Sequence, residues 1–572
     1  MVDAQLMRPP GELPVPAVLV LHELATGHRT VVDETAPQGN WSDDLAANDV
    51  LVLCLDAEEV AGYALAAGKR RPLNVIDLGV EAQALSNGLA PSFPTDLVLA
   101  LVRCGVPRAQ LVESLGVKAI LASDHLGSVD RERVTRHASR RLDILNDTRT
   151  AIQGHFDLQH ALLRGRYLVN LADVGRQGVP VDEPTIRAMN QYRGALLQAA
   201  IATAPRAPDG QGYFVTEGDR VHFRTSALAR YFGDDGDWPA DEDGNLLLDH
   251  DTLRLMEEIH PELRGLDDAK SKVEGLQYRS LAVDSDRRHR FEQRPFASRT
   301  GRNQPLGREA LLVQARWRRL LVVARPGHVL ICADFSSQEL GIAAALSGDG
   351  RLKAVYEAKD SYIGLGQELG RIPAGATKDT HPRERAVFKT VGLAVQYGGG
   401  PSMIAALTGL DRQNSLELLE LHRRTFGRFW AWREAAVNEA LLTNRLTTMF
   451  GWPLHVEPGY NVRSLANFPV QANAAEILRL SVIALRDAGF DVCATVHDCC
   501  VVEVAAEDAE AAAEEVKRLM VMAGEVVLGG FRLRIDVDLV RPGQRWRQKS
   551  SSHIWEWLVE QLQVLGVRVE NP

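Results

Sequence analysis

Apolar residues in this chain recur in two ways, and each predicts a kind of element. Compact apolar runs bounded by turn residues stand at 17–24 (AVLVLHEL), 49–56 (DVLVLCLD), 74–79 (NVIDLG), 328–335 (HVLICADF) and 490–504 (FDVCATVHDCCVVEV). They predict buried strands, the last run being two strands joined by a tight turn around Asp498. Helical spacing at 58–68 and 95–105, between and after the first strands, predicts a small three-layer α/β unit over 17–160. From about 160 the period is helical. One run covers 158–178, and a second covers 178–204, with Asp182 or Pro184 placed to start its helix. Residues 205–250 are rich in Gly, Pro and Asp and predict long loops around short elements. The stretch 380–403 is a bounded helix, opened by Thr380 and Pro382 and stopped by Gly398, Gly399, Gly400 and Pro401. The tail, 550–572, has an amphipathic helical pattern that suits a packing helix or a docking peptide for a partner protein.

A length of 572 residues predicts two to four domains, and 45% hydrophobic with 24% charged residues is globular composition. The formal charge of −10 gives no global sign of a nucleic-acid partner, so local clustering has to carry that case. Between 287 and 325 eleven arginines stand against two glutamates. Such a run predicts either a solvated face or a surface for polyphosphate or nucleic acid, because guanidinium forks match phosphate. The six cysteines form no CxxC pair and sit mostly in apolar strands, as reduced thiols do. The first sixteen residues lack the basic start and apolar core of a signal peptide, and no apolar run nears the ~20 residues of a membrane span. A soluble cytoplasmic protein is expected.

Candidate chemistry begins at Asp334, which ends the 328–335 strand just before a helical pattern opening at Glu339. Alone, Asp334 reads as a helix N-cap. A carboxylate at the end of a core strand also suits a metal ion, and Asp498 supplies a second one. In the 380–403 helix Arg385, Lys389, Leu393 and Tyr397 recur every fourth residue and so share a face. Two cations, an apolar side chain and a ring suit a triphosphate at one end and a base at the other. The plain alternative is an amphipathic helix whose cations snorkel.

Together these stretches resemble the family A DNA polymerases, of the DNA polymerase I type. The family's D-Y-S-Q-I-E-L-R stands here as DFSSQELG at 334–341. Its R-x-x-x-K-x-x-x-F-x-x-x-Y-G stands as Arg385, Lys389, Leu393, Tyr397 and Gly398, and its V-H-D-E as VHDC at 496–499. Thr300, Gly301 and Arg302, then Arg463, Asn467 and Gln471, complete five motifs in family order over roughly the last half of the chain. The resemblance implies a multidomain α/β and α+β fold with a right-hand polymerase: thumb at 161–290, palm at 291–345 and 460–572, fingers at 346–459. It also implies two-metal phosphoryl transfer, with Asp334 and Asp498 bridging two Mg²⁺ ions and the Phe335 carbonyl as a further ligand. Arg385 and Lys389 would bind the incoming deoxynucleoside triphosphate, and Lys389 would protonate the leaving pyrophosphate. Tyr397 and Glu339 would crowd the sugar 2′ position. Arg299, Arg302, Asn303, Arg463, Asn467, Gln471 and His497 would hold primer–template DNA at the primer terminus and minor groove. Three positions depart from the family: Cys499 stands at its third acid, Leu393 at an aromatic residue, and Tyr362 at the histidine of D-x-H.

The N-terminal 160 residues also resemble this family's 3′–5′ exonuclease domain, an RNase H-like α/β fold. Its D-x-E would be Asp3, Ala4 and Gln5, its second acid Glu58 or Glu59, and its Y-x-x-x-D the stretch from Asp143 to Asp147. Gln5 in place of glutamate weakens metal binding, since an amide oxygen carries no full charge. Weak or absent proofreading is implied, with the domain kept as a scaffold. The expectation is a monomeric, phage-like DNA polymerase acting in replication. Two alternatives stay open. One is a polymerase with altered nucleotide choice, which Glu339 opposes; the other is a catalytically silent DNA-binding scaffold, which the retained Asp334, Lys389 and Asp498 oppose.

Overall fold

The structure is a computed structural model describing residues 1–8, 13–33, 41–89, 97–106, 121, 128–217, 220–233, 238, 246–290, 293–305, 311–546 and 552–569. Three strands open the chain as an antiparallel sheet: β1 (Val2–Met7), β2 (Val15–His22) and β3 (Arg29–Asp33). β4 (Leu51–Cys54) lies beside β1 and pairs in parallel with β5 (Asn74–Asp77). Helix α1 (Ala57–Ala66) makes the crossover between them, and α2 (Ser128–Ile152) covers β1 and β2 from the other side. Val18 and Val20 pack with α2 while Leu19 packs with α1, as alternating strand side chains must. This is the three-layer unit that the apolar runs predict.

Helix α3 (Leu158–Gln177) joins that unit to the rest. It crosses β5 so closely that a Cβ on Gly165 would lie 1.9 Å from the Val75 carbonyl oxygen, so only glycine fits. Beside it, Arg164 makes a two-pronged ion pair with buried Glu81, both bonds at 2.7 Å, and donates to the Phe450 carbonyl at 3.1 Å. The next helix, α4 (Glu183–Ala202), starts at the predicted cap, where Asp182 accepts from the Thr185 amide at 3.2 Å. Between α4 and α5 (Leu266–Leu276), residues 205–250 hold short elements of the kind expected among their loops. β6 (Phe214–Glu217) and β7 (Arg220–Phe223) form a hairpin there, with Phe214 edge-on to Phe223 at 5.3 Å. Strands of four residues are too short to show a period, so the Gly and Pro of their surroundings dominate the pattern.

A four-stranded antiparallel sheet forms the centre. Its strands are β8 (His328–Phe335), β9 (Asp491–Val496), β10 (Cys499–Ala505) and β11 (Ile535–Val540), in the order β9-β10-β8-β11. Between β8 and β9 runs a long helical insertion: α6 (Gln338–Ser347), α7 (Gly350–Glu357), α8 (Ser361–Glu368), α9 (Pro382–Gln396), α10 (Arg412–Thr425), α11 (Gly427–Thr443) and α12 (Val462–Asp487). α13 (Ala509–Val527) follows β10. Ile331, Ala333, Cys500 and Val502 pack toward α12 and α13, whereas Leu330, Cys332, Cys499 and Val501 pack toward 311–324 and α4. With both faces covered, these strands read as unbroken apolar runs. All six cysteines are free thiols, and five are buried.

Part of the arginine run of 287–325 is internal scaffold, while Arg287, Arg294, Arg316 and Arg325 are exposed. Arg288 ion-pairs with Glu503 inside the protein, and Arg325 shares that carboxylate at 2.8 Å. Arg290 holds Asp284 and Asp286, while fully buried Arg318 donates to the Gly275 carbonyl at 2.8 Å and stacks on Tyr278. A guanidinium satisfies several buried acceptors at once, and composition does not distinguish that use from a solvated one. The tail forms α14 (Ser552–Val564), which buries Ile554, Trp555, Leu558 and Leu562 against α4 and 316–321. It is a packing helix. No helix among the described residues is long and apolar enough to cross a membrane.

Candidate active site

β8 carries Asp334 to its next-to-last position, paired with Cys499 on one side and Asp536 on the other. Val496 pairs with Cys499, so β9 and β10 are joined by a two-residue turn of His497 and Asp498. Asp498 therefore adjoins the cross-strand partner of Asp334, and the two carboxyls share a hydrogen bond. The Asp334 side chain reaches solvent, yet desolvation by the surrounding walls, followed by the charge of Asp498, pushes its carboxyl well up, to about 8. Two carboxyls this close hold a proton between them unless a cation takes its place. The donor set fits Mg²⁺, which takes one or two carboxylates and fills its other positions with water and phosphate oxygens. Among the described residues no group of three His, Cys, Asp or Glu side chains is arranged to hold a metal ion, so the site is one of two acids.

Asp334 is not a helix cap. The cap of α6 is Ser337, in the left-handed region at φ 49°, and His497 beside Asp498 is left-handed too, at φ 57°. Such conformations cost L-residues on the order of 1–2 kcal/mol and gather at functional sites. Phe335 is buried under this turn. Two charged neighbours escaped the sequence patterns. Asp536 stands directly across from Asp334 and accepts from the Ser336 hydroxyl. Arg319, stacked on Trp546 at 5.0 Å, adds a positive charge that opposes the rise at Asp334. Strand register and side-chain stacking bring both there, and no local string encodes either.

The predicted face of α9 meets the linker before α8 at one end and α6 at the other. Arg385 Nε donates to Asp360 Oδ2 at 2.6 Å, and its guanidinium lies 5.4 Å from the Tyr362 ring. Against desolvation, that bond and the amides of Ile363 and Tyr362 hold the Asp360 carboxyl below its ordinary range. The Tyr362 hydroxyl bonds to Ser337. Lys389, one turn further along, has no ion-pair partner among the described residues, and Leu393 follows on the same face. At the end of α9, Tyr397 bonds to Glu339 and Gln471; desolvation first, then Glu339, pushes its phenol up to about 12. Glu339 also accepts from Arg302 Nη2 at 3.0 Å. The next residue, Gly398, has φ 80°, and a Cβ there would lie 2.9 Å from Arg433 Nη2 and 3.1 Å from Arg463 Cγ.

Arg463, Asn467 and Gln471 share one face of α12 at four-residue spacing. Arg299 stacks on Tyr460 at 5.0 Å while its carbonyl accepts from Asn87 and Trp452. His497 is exposed beside the acids. Asn303 is half-buried, and its amide donates to the Tyr167 hydroxyl at 2.7 Å and to Gln293 at 3.3 Å.

Of the acids expected for an exonuclease-like set, Glu59 shares the field of Arg141 with Asp3 and Asp56, whereas Glu58 lies apart from them. Buried Asp3 accepts from Arg141 Nε at 2.6 Å and from Gln5 Nε2 at 2.8 Å. Glu58 instead lines a cavity with Gly175, His289, Arg290 and Cys493, at the junction with the central sheet. Glu59 accepts from the Leu6 amide and from Arg8. Asp147 lies one turn along α2 from Asp143, which pairs with Arg29 of β3 at 2.7 Å. Successive residues of α1 point 100° apart, and a buried carboxylate needs a counter-charge, which Arg141 provides at Asp3.

Residues 305–548 match the family model for DNA polymerase family A. The DNA polymerase of Mycobacterium phage D29 is 30% identical over 249 residues, which are 43% of this chain and 40% of that one. The thermostable DNA polymerase I of Thermus filiformis is 31% identical over 213 residues, 35% of this chain and 25% of that one. The chain thus spans well under half the length of these curated relatives. The solved structure of the POL domain of Pol1 from M. smegmatis, in complex with DNA primer-template and dNTP, shares the fold with a TM-score of 0.71. That likeness covers 95% of both chains at 19% identity.

Proposed function

Because residues 305–548 belong to DNA polymerase family A, we propose that the chain is a template-directed DNA polymerase that extends a primer 3′ end from deoxynucleoside triphosphates. The observation that supports this is the Asp334–Asp498 pair at the end of the central sheet, followed on α6 by Glu339, which bonds to Tyr397 at the end of α9. Asp334, Asp498 and the Phe335 carbonyl would hold two Mg²⁺ ions, which when bound supply charge neutralisation at the attacking and leaving oxygens. The chain's own side chains do the rest. Arg385, Lys389 and Tyr362 bind the triphosphate, and Lys389 gives a proton to the departing pyrophosphate. Glu339, held by Arg302, and Tyr397 close the sugar pocket on its 2′ side, while Leu393 leaves it less filled than an aromatic ring would. Arg299, Arg302, Arg463, Asn467, Gln471 and His497 hold the primer end and minor groove.

In this account 161–290 act as thumb, 291–345 with 460–572 as palm, and 346–459 as fingers. The first 160 residues are an exonuclease-like scaffold with weak or absent proofreading, and the enzyme works as a monomer in the cytoplasm. The test is single-nucleotide extension of a labelled primer–template with Mg²⁺. Only the deoxynucleotide complementary to the template base should be added. Addition regardless of template, or binding without addition, would overturn the proposal.

A further inference from the structure

β11 lies outside every motif, yet the residue just before it reaches the linker whose Asp360 holds Arg385. Arg534 stacks over Tyr356 at 4.8 Å, donates Nη2 to Ser361 Oγ at 2.6 Å, and donates Nη1 to the Ala358 carbonyl. Its backbone amide donates to the Tyr356 hydroxyl at 2.8 Å, which in turn donates to the Ser336 carbonyl at 3.2 Å. Its carbonyl accepts from the Ser336 amide at 3.0 Å. Arg534 therefore grips both ends of the short linker between α7 and α8, and also the turn that follows Asp334.

Asp360 sits in that linker. Its Oδ1 accepts from the Tyr362 and Ile363 amides, each at 3.1 Å, and its Oδ2 accepts from Arg385 Nε. We propose that Arg534 is a positioning residue for the triphosphate end of the site. It fixes Asp360, and through it Arg385 and Tyr362, at a set distance from Asp334. The inference rests on the polymerase proposal above. The physical basis is the planar guanidinium, which serves a carbonyl and a hydroxyl at once while lying on a ring, as an ammonium does not. A long cation held in place before its ligand arrives loses less freedom on binding.

The test compares wild type with Arg534→Ala, Arg534→Lys, Ser361→Ala, Asp360→Ala and the Arg534→Ala/Asp360→Ala pair. Arg534→Ala should raise KM for the nucleotide about tenfold and leave kcat within about twofold, with primer–template affinity unchanged. Arg534→Lys should fall between, and Ser361→Ala should raise KM about threefold if Arg534→Ala does not fold. The double variant should add little to either single one, because the two residues act in series. Amide hydrogen exchange at Tyr362 and Ile363 should quicken in each Arg534 variant. Additive KM effects, a fall in kcat at constant KM, or unchanged exchange at those amides would overturn the inference. A wild type that extends no primer would instead contradict the polymerase proposal, and the exchange measurement would still decide whether Arg534 holds Asp360.

Discussion

Arg141 Nε lies 2.6 Å from Asp3 Oδ1, and Gln5 closes the other oxygen of the same buried carboxylate at 2.8 Å. A guanidinium thus neutralises the acid that a metal-dependent nuclease would use. No primer shortening is expected with Mg²⁺ in the absence of nucleotides. Gln5→Glu alone should not create it, because Arg141 still occupies the carboxylate. Arg141→Ala should destabilise the N-terminal unit toward the low end of about 3–5 kcal/mol, since Arg141 is 20% exposed and Asp3 only 4%. Urea unfolding, followed by exchange of the β1 amides, measures the loss; appearance of a nuclease in either variant would refute the account.

Glu339 is bonded at once to Arg302 and to Tyr397, so its carboxylate is fixed where the sugar pocket is proposed to lie. Glu339→Ala should raise ribonucleotide incorporation relative to deoxynucleotide about tenfold or more. Competition between the two sugars on one template checks it, and an unchanged ratio would remove Glu339 from the discrimination.

Lys389 has no ion-pair partner among the described residues, although Arg385 one turn away is engaged by Asp360. A cation left free in this way suits proton transfer. Lys389→Ala should lower kcat by about 10²–10⁴. Lys389→Arg keeps the charge but holds its proton at neutral pH, so it should recover nucleotide binding and not kcat. Pre-steady-state extension separates the two effects.

His422 on α10 is buried, and Trp430 Nε1 donates to its Nδ1 at 3.1 Å, which requires that nitrogen to be unprotonated. Burial pushes its pKa down to about 3. The folded state thus binds fewer protons than the unfolded chain, and stability falls as pH drops below the unfolded value of ~6.5. By pH 5 the loss should be about 2 kcal/mol. Urea unfolding followed by tryptophan fluorescence should show this for the wild type and a flatter slope for His422→Phe; equal slopes would contradict it.

What was legible in the sequence is local. The acids, the α9 face and the Asp182 cap can be found because their chemistry requires given residue types within a turn or two of one another. Asp536 was invisible because IDVDLV states an alternation and not a register, and register alone sets it across from Asp334. Arg319 and Arg534 were hidden for a similar reason, since each acts through partners far away in sequence. The arginine run was ambiguous because buried Arg288 and Arg318 look the same in a composition window as exposed Arg316. In the N-terminal unit the altered D-x-E string locates Asp3, and Glu59 shares Arg141 with it while Glu58 faces the junction with the central sheet.

The most direct measurement is Mg²⁺-dependent extension of a labelled primer–template by wild type and by Asp498→Asn, with binding of the same DNA followed in parallel. The substitution keeps the volume of the turn and removes one of the two carboxylates. The account predicts template-directed extension by the wild type, its loss in the variant by several orders of magnitude, and unchanged DNA affinity in both. Equal extension by the two proteins would contradict a role for the Asp334–Asp498 pair, and extension by neither would contradict the polymerase itself.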